Sequence, residues 1–168
     1  MKTIVLVTIF SLLFVVGLSQ DNHRFKYRKI EGFTNYIVTP IFDQSKSEGI
    51  KGMPSILDES YIEKFFADGI KEVLPKEKLN TLHLYSSFMA SFNSNGEIIY
   101  CTFFIQEKDI NILSETDLYN LYDKFKKSRI DTSKVKILPV EGSEDKLPDY
   151  AEIFGPLVPR GYNKSISK

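Results

Sequence analysis

Two strand-like runs on either side of Asn95-Gly96 constrain the fold more than any other feature of this sequence. The runs cover residues 82–92 and 97–105. Asn-Gly favours a two-residue type I′ turn, because both central residues of that turn need positive φ. The pairs on one face of the resulting hairpin are then Phe92 with Ile99, Ala90 with Cys101, Phe88 with Phe103 and Ser86 with Ile105. Since side chains alternate between faces, this register predicts one almost wholly apolar face for a central hairpin at 82–105.

Helical patterns flank the hairpin. Apolar side chains recur at helical spacing from Tyr61 to Leu74, with Asp58 or Ser60 as the N-cap and Pro75 as the stop. A capping box at 114–117 begins a second helix that ends near Lys127, and a short strand is predicted at 135–138. The predicted αββαβ core is an α+β fold, in which a small antiparallel sheet carries the helices on one face.

The remaining segments have weaker patterns. Residues 33–42 are predicted to be extended, because residues 36–39 are β-branched or aromatic. The polar residues 20–31 are predicted to form a loose lead-in with a short strand at 25–27. Residues 43–54 are rich in glycine and serine and predict a loop. From residue 140 onward we predict an irregular tail. The apolar residues by which it would wrap the domain are Tyr150, Ile153, Phe154, Leu157 and Val158.

The first nineteen residues form a predicted signal peptide. Lys2 supplies a positive start, and the uncharged stretch Ile4–Leu18 is 15 residues long. As a helix that stretch would span roughly 22 Å, less than the roughly 30 Å hydrocarbon core of a bilayer. Small residues at Gly17 and Ser19 predict cleavage after Ser19. We therefore expect a periplasmic or secreted protein that meets the membrane only through this transient segment; an uncleaved anchor is the alternative.

Composition limits the functions open to the mature chain. Cleavage would leave 149 of the 168 residues, a single domain at 20–168. Acidic and basic residues nearly balance, which disfavours nucleic acid as a partner. One cysteine and two histidines disfavour a structural zinc site, which needs four ligands. We predict neither a metal nor another cofactor.

No arrangement of residues in the sequence indicates a catalytic site. Cys101 and His83 fall on opposite faces of the predicted hairpin, roughly 23 Å apart at about 3.3 Å per residue, and cannot share a proton. The hairpin serines have only His83 nearby, so strand serines are the favoured interpretation of Ser86, Ser87, Ser91 and Ser94. For the acidic segment 141–152 we favour a solvated loop, with a calcium site as the alternative.

Residues 58–138 resemble the C-terminal domain of TonB and related small periplasmic modules. The resemblance rests on the helix ending at Leu74, the turn-containing stretch 90–99, the helix 118–127 and the strand 135–138. It implies a small α+β module of the cell envelope. The chain is also similar to small exported proteins of gram-negative bacteria whose function is unknown.

Tyr85, Tyr100 and Phe104 share the second face of the predicted hairpin. A sheet of this layout carries helices on one side, so we expect that face, or a free sheet edge, to bind a partner. We therefore predict an exported, non-enzymatic binding or accessory domain of the cell envelope, whose partner is an envelope or extracellular protein. The alternatives are a small secreted hydrolase, which would show carboxylates converging in a pocket, and a structural subunit of an envelope assembly.

Overall fold

A computed structural model describes residues 23–43, 49–140 and 146–162. The elements in these ranges are β1 (Phe25–Lys29), β2 (Asn35–Pro40), β3 (Met53–Ile56), α1 (Glu59–Val73), α2 (Lys76–Thr81), β4 (Ser87–Asn93), β5 (Ile98–Gln106), a 3₁₀ turn (Glu107–Asp109), α3 (Glu115–Lys126), β6 (Val135–Leu138) and β7 (Tyr150–Pro156). The predicted signal peptide lies outside the described residues. Of the helices described, none is long and apolar enough to cross a membrane.

The strands form two antiparallel sheets. Five of them make a sheet in the order β1-β2-β5-β4-β7, and β3 pairs with β6 in a separate two-stranded sheet. The β4–β5 hairpin occupies the middle of the large sheet, and α1 and α3 pack on one of its faces. The predicted α+β class and the central hairpin are therefore confirmed.

The hairpin has the predicted register because two one-residue shifts cancel. Pairing from Ser87–Phe104 to Ser91–Tyr100 is as predicted. The turn differs from a type I′ turn centred on Asn95-Gly96, since the Gly96 N–H donates to the Asn93 carbonyl at 2.9 Å. Ser94 and Asn95 are thus its central residues. A bulge at Ile99, between the pairs Phe92–Ile98 and Ser91–Tyr100, then shifts the pairing by one residue and restores the register.

The Asn93 side chain explains the choice of turn. Its Oδ1 accepts hydrogen bonds from the backbone N–H groups of Asn95 and Glu97, both at 3.0 Å. Such an Asx contact stabilises a turn that begins at the asparagine itself. Gly96 still has the positive φ, 78°, that the sequence assigns to it.

Both long helices begin where the sequence predicts. Asp58 is the N-cap of α1, and its carboxylate accepts a hydrogen bond from the Tyr61 N–H at 3.0 Å. Ser114 and Asp117 form the complete capping box of α3. These contacts satisfy N–H groups that have no partner within the helix.

Aromatic rings fill the space between the helices and the sheet. The Phe88 ring of β4 lies 4.9 Å from Phe66 of α1 and 4.5 Å from Phe125 of α3. Phe103 of β5 continues this layer, 6.0 Å from Phe88 and 6.1 Å from Phe25 of β1. All of these side chains are buried. We refer to this side of the five-stranded sheet as the covered face.

The predicted irregular tail is wrong, because residues 150–156 form β7 and pair with β4 along its whole length. Ala151, Ile153 and Gly155 alternate along β7 and are buried, as expected for one face of a strand. Two of these three residues are alanine and glycine, whose small side chains do not indicate a strand in the sequence. Gly155 is required here: a Cβ on it would lie 2.5 Å from the Phe66 ring. β7 therefore pairs with the edge of β4 for which the sequence predicted no neighbouring strand.

Three other segments also differ from the prediction. The first hairpin strand begins at Ser87 rather than residue 82, because α2 and a turn take up residues 76–86. β3 begins in the last two residues of the predicted loop 43–54 and pairs with β6, so the strand at 135–138 lies outside the large sheet. The lead-in is not loose from Phe25 onward, since β1 pairs with β2 over five residues.

Candidate functional site

The face of the large sheet opposite the helices is the first candidate site, and we call it the open face. Its central feature is a pair of aromatic rings, Phe104 of β5 and Phe154 of β7, whose centroids lie 5.8 Å apart. Phe154 is 61% exposed, and Phe104 and Met89 are half-buried. By strand alternation the same face carries Ile37, Thr39, Ser87, Ser91, Thr102, Glu152 and Pro156.

Charged side chains lie at the two borders of the open face. Lys26 and Arg28 of β1 alternate onto it at one border. At the other border Glu152 forms an ion pair with Lys51.

Between these borders lies Ser91, which is fully buried and whose hydroxyl has no hydrogen-bond partner among the described residues. The open face thus combines an apolar patch with serine and threonine side chains between two charged borders, and protein interfaces commonly mix such groups.

Phe104 lies where the sequence predicted, but Tyr100 does not share its surroundings. The β2–β5 ladder ends at Val38–Phe103, so within the described ranges β5 has no strand neighbour on that side at Tyr100. The Tyr100 ring lies 6.4 Å from the buried Tyr122 ring of α3. Burial, followed by the nearby charge of Asp43, raises the pKa of the Tyr100 phenol. Tyr100 pairs with Ser91, which places it on the open face by alternation, and at the edge beyond the end of β2 its ring also contacts the helix layer.

Tyr85 also lies outside the strand that the sequence assigned to it. It is part of the turn at 82–86 that connects α2 to β4, and it is 76% exposed. Its neighbour Leu84 is 52% exposed. The structure therefore places Phe104 and Tyr100 on the open face, with Tyr100 also in contact with the helix layer, and places Tyr85 in a turn.

A buried carboxylate, which no sequence pattern predicted, holds that turn. Asp109 is fully buried and accepts hydrogen bonds from the His83 N–H at 3.0 Å and from the Ser86 hydroxyl at 2.5 Å. His83 Nδ1 lies 2.6 Å from the same carboxylate. The Ser86 Oγ in turn accepts from the Gln106 N–H at 3.0 Å. Asp109 is 26 residues from His83 in the chain, so no local pattern joins them.

The Asp109–His83 pair does not complete a hydrolytic triad. A carboxylate that accepts from an imidazole can orient a general base, but catalysis then needs a nucleophile at the other ring nitrogen. Ser86 donates its proton to the carboxylate instead, and it is fully buried. Cys101 is buried on the covered face, and desolvation raises its thiol pKa to about 12. Neither side chain is an available nucleophile.

One groove contains two carboxylates and tests the hydrolase alternative. It has a volume of about 550 Å³, lies between α1 and the residues after β7, and includes Glu63 and Asp68 in its lining. Both carboxylates form ion pairs, Glu63 with Arg160 at 2.7 Å and Asp68 with Lys64 at 2.5 Å. The hydrogen bond from Lys64 lowers the pKa of Asp68, whereas a general acid for glycoside cleavage needs a raised pKa.

The predicted alternatives for the acidic segment are only partly described. Glu141, Glu144 and Asp145 lie outside the described residues. Asp149 accepts a hydrogen bond from the Ile50 N–H at 2.8 Å, and Glu152 pairs with Lys51. Across the ranges 23–43, 49–140 and 146–162, His, Cys, Asp and Glu side chains form no cluster of three or more that could hold a metal ion.

Comparison with known proteins supports the fold and adds no activity. No protein-family model matches the chain, and no curated protein matches it. Among solved structures, the crystal structure of a DUF5043 family protein from Bacteroides uniformis ATCC 8492 is similar, with a TM-score of 0.52 and 9% identity. The similarity covers 83% of this chain and 88% of that one. At this identity the two proteins share a fold, and the name of the neighbour states a family without an activity.

Proposed function

We propose that this protein is an exported, non-enzymatic binding domain that contacts an envelope or extracellular protein through the open face of its sheet. One observation carries the proposal: Phe154 is 61% exposed on a sheet face that also presents Phe104. Large apolar side chains grouped on one surface are typical of protein interaction sites.

The exposed side chains of the open face would contribute to the free energy that offsets the cost of association. Covering the exposed part of Phe154 removes on the order of 100 Å² of apolar surface from water, worth about 2–3 kcal/mol. Phe104 and Met89 on the same face are half-buried and add to it. A buried aromatic centre surrounded by polar residues is the usual arrangement of a binding hot spot.

The cellular setting in this proposal rests on the sequence. The positive start, the apolar stretch Ile4–Leu18 and the small residues before Gln20 support export with removal of residues 1–19. The resemblance of residues 58–138 to the TonB C-terminal domain supports a place in the cell envelope. The near balance of acidic and basic residues supports a protein partner over nucleic acid.

Chemical cross-linking in the producing cells, followed by mass spectrometry, tests the proposal. We expect one abundant envelope protein joined to the wild-type chain, and we expect the Phe154→Ala and Phe104→Ala variants to lose most of it. Phe154 is mostly exposed, so its truncation changes the free energy of unfolding by about 0.5 kcal/mol or less. A loss of the cross-link in that variant therefore reports binding and not unfolding.

Leu147→Ala is the matched control, because Leu147 is 88% exposed and lies in the loop before β7. It should leave the cross-linked product unchanged. A product that persists in both phenylalanine variants would overturn the proposed surface. A product formed only between copies of the chain would instead favour the structural-subunit alternative.

A further inference from the structure

The two turns at one end of the large sheet carry exposed apolar side chains. The Ser86 hydroxyl accepts from the Gln106 N–H at 3.0 Å, and the Glu107 N–H donates to the Thr34 carbonyl at 2.8 Å. Both the turn at 82–86 and the turn between β1 and β2 therefore flank the last residues of β5. We call this region the apolar end. Its exposed side chains are Phe33 (69%), Leu84 (52%) and Tyr85 (76%).

The turn at 82–86 is held more firmly than a surface turn requires. Asp109 accepts hydrogen bonds from the His83 backbone and the Ser86 hydroxyl inside the protein. The Ser86 N–H donates to the His83 carbonyl at 3.1 Å, and the Ser86 carbonyl accepts from the Leu157 N–H at 2.9 Å. Leu82, His83 and Ser86 are thus held by hydrogen bonds, whereas Leu84 and Tyr85 present their side chains to solvent.

Stability alone does not explain this arrangement. A buried carboxylate with polar partners is often no more stabilising than apolar residues of the same volume, and its best-attested role is to specify one conformation. The conformation specified here presents Leu84 and Tyr85 to water, where apolar groups contribute nothing to folding. Fixing such side chains before contact lowers the entropy lost when a partner binds.

We propose that the apolar end, with Leu84 and Tyr85 at its centre, inserts into an apolar pocket on the same folded protein that contacts the open face. The inference rests on the proposed function and extends its surface. Ser87, the first residue of β4, lies between Phe104 and Pro156 of the open face, so the turn at 82–86 leads directly into that face. Asp109 acts as a positioning residue for the turn.

The charges at the apolar end favour a protein over a lipid surface. Lys29 pairs with Glu107 at 3.0 Å, and the other exposed charges close to it in sequence are Arg28, Glu31 and Lys108. These charges leave a basic excess of one, whereas an anionic membrane surface selects clusters of about four or more basic residues. A tyrosine suits a protein pocket, since its ring is buried while its hydroxyl finds a polar partner at the rim.

Site-specific photo-cross-linking in the producing cells tests the inference. A p-benzoyl-phenylalanine side chain replaces Tyr85, Phe154 or Leu147 in three separate full-length chains. We expect the probes at 85 and 154 to join the same protein and the probe at 147 to join none. The partner identified in this way is then purified, and its affinity is measured for wild type and for Leu84→Ala, Tyr85→Ala, Ser86→Ala and Leu147→Ala.

Leu84→Ala and Tyr85→Ala should each weaken binding about tenfold or more, as hot-spot truncations do. Ser86→Ala should weaken binding and also speed amide hydrogen exchange in residues 83–86, whereas Leu147→Ala should change neither. Binding that is lost on Phe154→Ala but unchanged on Leu84→Ala and Tyr85→Ala would overturn the inference and leave the proposed function intact. Sedimentation of the wild-type chain with vesicles of phosphatidylethanolamine and phosphatidylglycerol, abolished by Tyr85→Ala, would overturn it in favour of a lipid surface.

Discussion

Consecutive residues of β5 show how differently the two faces of the sheet are used. Phe103 is buried on the covered face, with the Phe25 and Phe88 rings about it. Phe104 lies on the open face beside Phe154, which is mostly in water. The core that the helices complete is confined to the covered face. Side chains on the open face contribute less to folding and are therefore available for binding.

Thiol reactivity should show the largest difference between the faces. Cys101 is buried on the covered face, and desolvation raises its pKa to about 12, so an alkylating reagent should reach it only when the protein unfolds. A Phe154→Cys variant should react at least about 10³-fold faster at that new cysteine, given typical unfolded fractions. Mass spectrometry of the two peptides gives both rates from one sample. Equal rates would show that Cys101 is accessible and that its assignment to the covered face is wrong.

Truncating one phenylalanine on each face should give the largest difference in stability. Phe88 is fully buried among Phe66, Phe103 and Phe125, so Phe88→Ala should lower the free energy of unfolding by about 3–5 kcal/mol. Phe104→Ala should cost clearly less, since its side chain is only half-buried. Urea unfolding measures both. A loss of similar size for the two variants would mean that the open face is covered in solution.

Neighbouring residues of β7 sharpen the same comparison. A Cβ at Gly155 would lie 2.5 Å from the Phe66 ring, so Gly155→Ala should destabilise the protein by about 1–3 kcal/mol through overpacking. Phe154→Ala, one residue away on the open face, should change stability by about 0.5 kcal/mol or less. Thermal unfolding of the two variants provides the measurement. A neutral Gly155→Ala would show that α1 does not pack this closely on β7.

Ser91→Ala should have a smaller effect, and one of opposite sign. The Ser91 hydroxyl is buried on the open face without a partner in the described residues. Removing a buried, unsatisfied hydroxyl is expected to raise the free energy of unfolding by about 1 kcal/mol or less. Urea unfolding checks this against Ser87→Ala, the half-buried serine at the start of the same strand. A destabilised Ser91→Ala variant would indicate that the hydroxyl does have a hydrogen-bond partner.

Acid should affect the helix layer through Asp58, with the smallest effect of the five. Hydrogen bonds from Ser60 and the Tyr61 N–H, together with Lys134, lower the pKa of Asp58 from 3.8 to about 2. A depressed folded-state pKa gives stability that is full above pH about 4 and is lost as the pH falls towards 2. Asp58→Asn keeps the cap but does not titrate. The stability difference between wild type and this variant should therefore shrink over that range, and a constant difference would contradict the assignment.

Local patterns predicted the parts of the fold that depend on local contacts. The caps at Asp58 and Ser114 bond to groups three residues away, so the sequence contains both partners. The hairpin register from Ser87 to Ser91 was also predicted, although the turn at 93–96 and the bulge at Ile99 were not. Those two features depend on the Asn93 side chain and on strand twist, which an Asn-Gly motif does not describe.

The candidate site was predicted less well, because its residues meet over long distances in sequence. Phe104 was correctly expected on an exposed face, but its neighbour Phe154 lies in a segment predicted to be irregular. Ala151 and Gly155 interrupt the pattern of large apolar residues by which β7 could have been predicted. The segment is a strand because it pairs with β4. Tyr100 alternates onto the expected face, but the sequence did not indicate its contact with Tyr122, which is possible because β2 ends before reaching Tyr100.

The sequence by itself therefore determined the α+β class, the central hairpin, the starts of both long helices and the burial of Cys101. These follow from periodicity, caps and alternation, in which the interacting residues are close along the chain. Tertiary structure alone decided that β7 completes the sheet, that Phe104 meets Phe154, and that Asp109 holds the turn carrying Tyr85. In each case the stabilising free energy comes from burial or hydrogen bonding between groups that are 20 or more residues apart in the chain. Local sequence patterns do not predict such contacts.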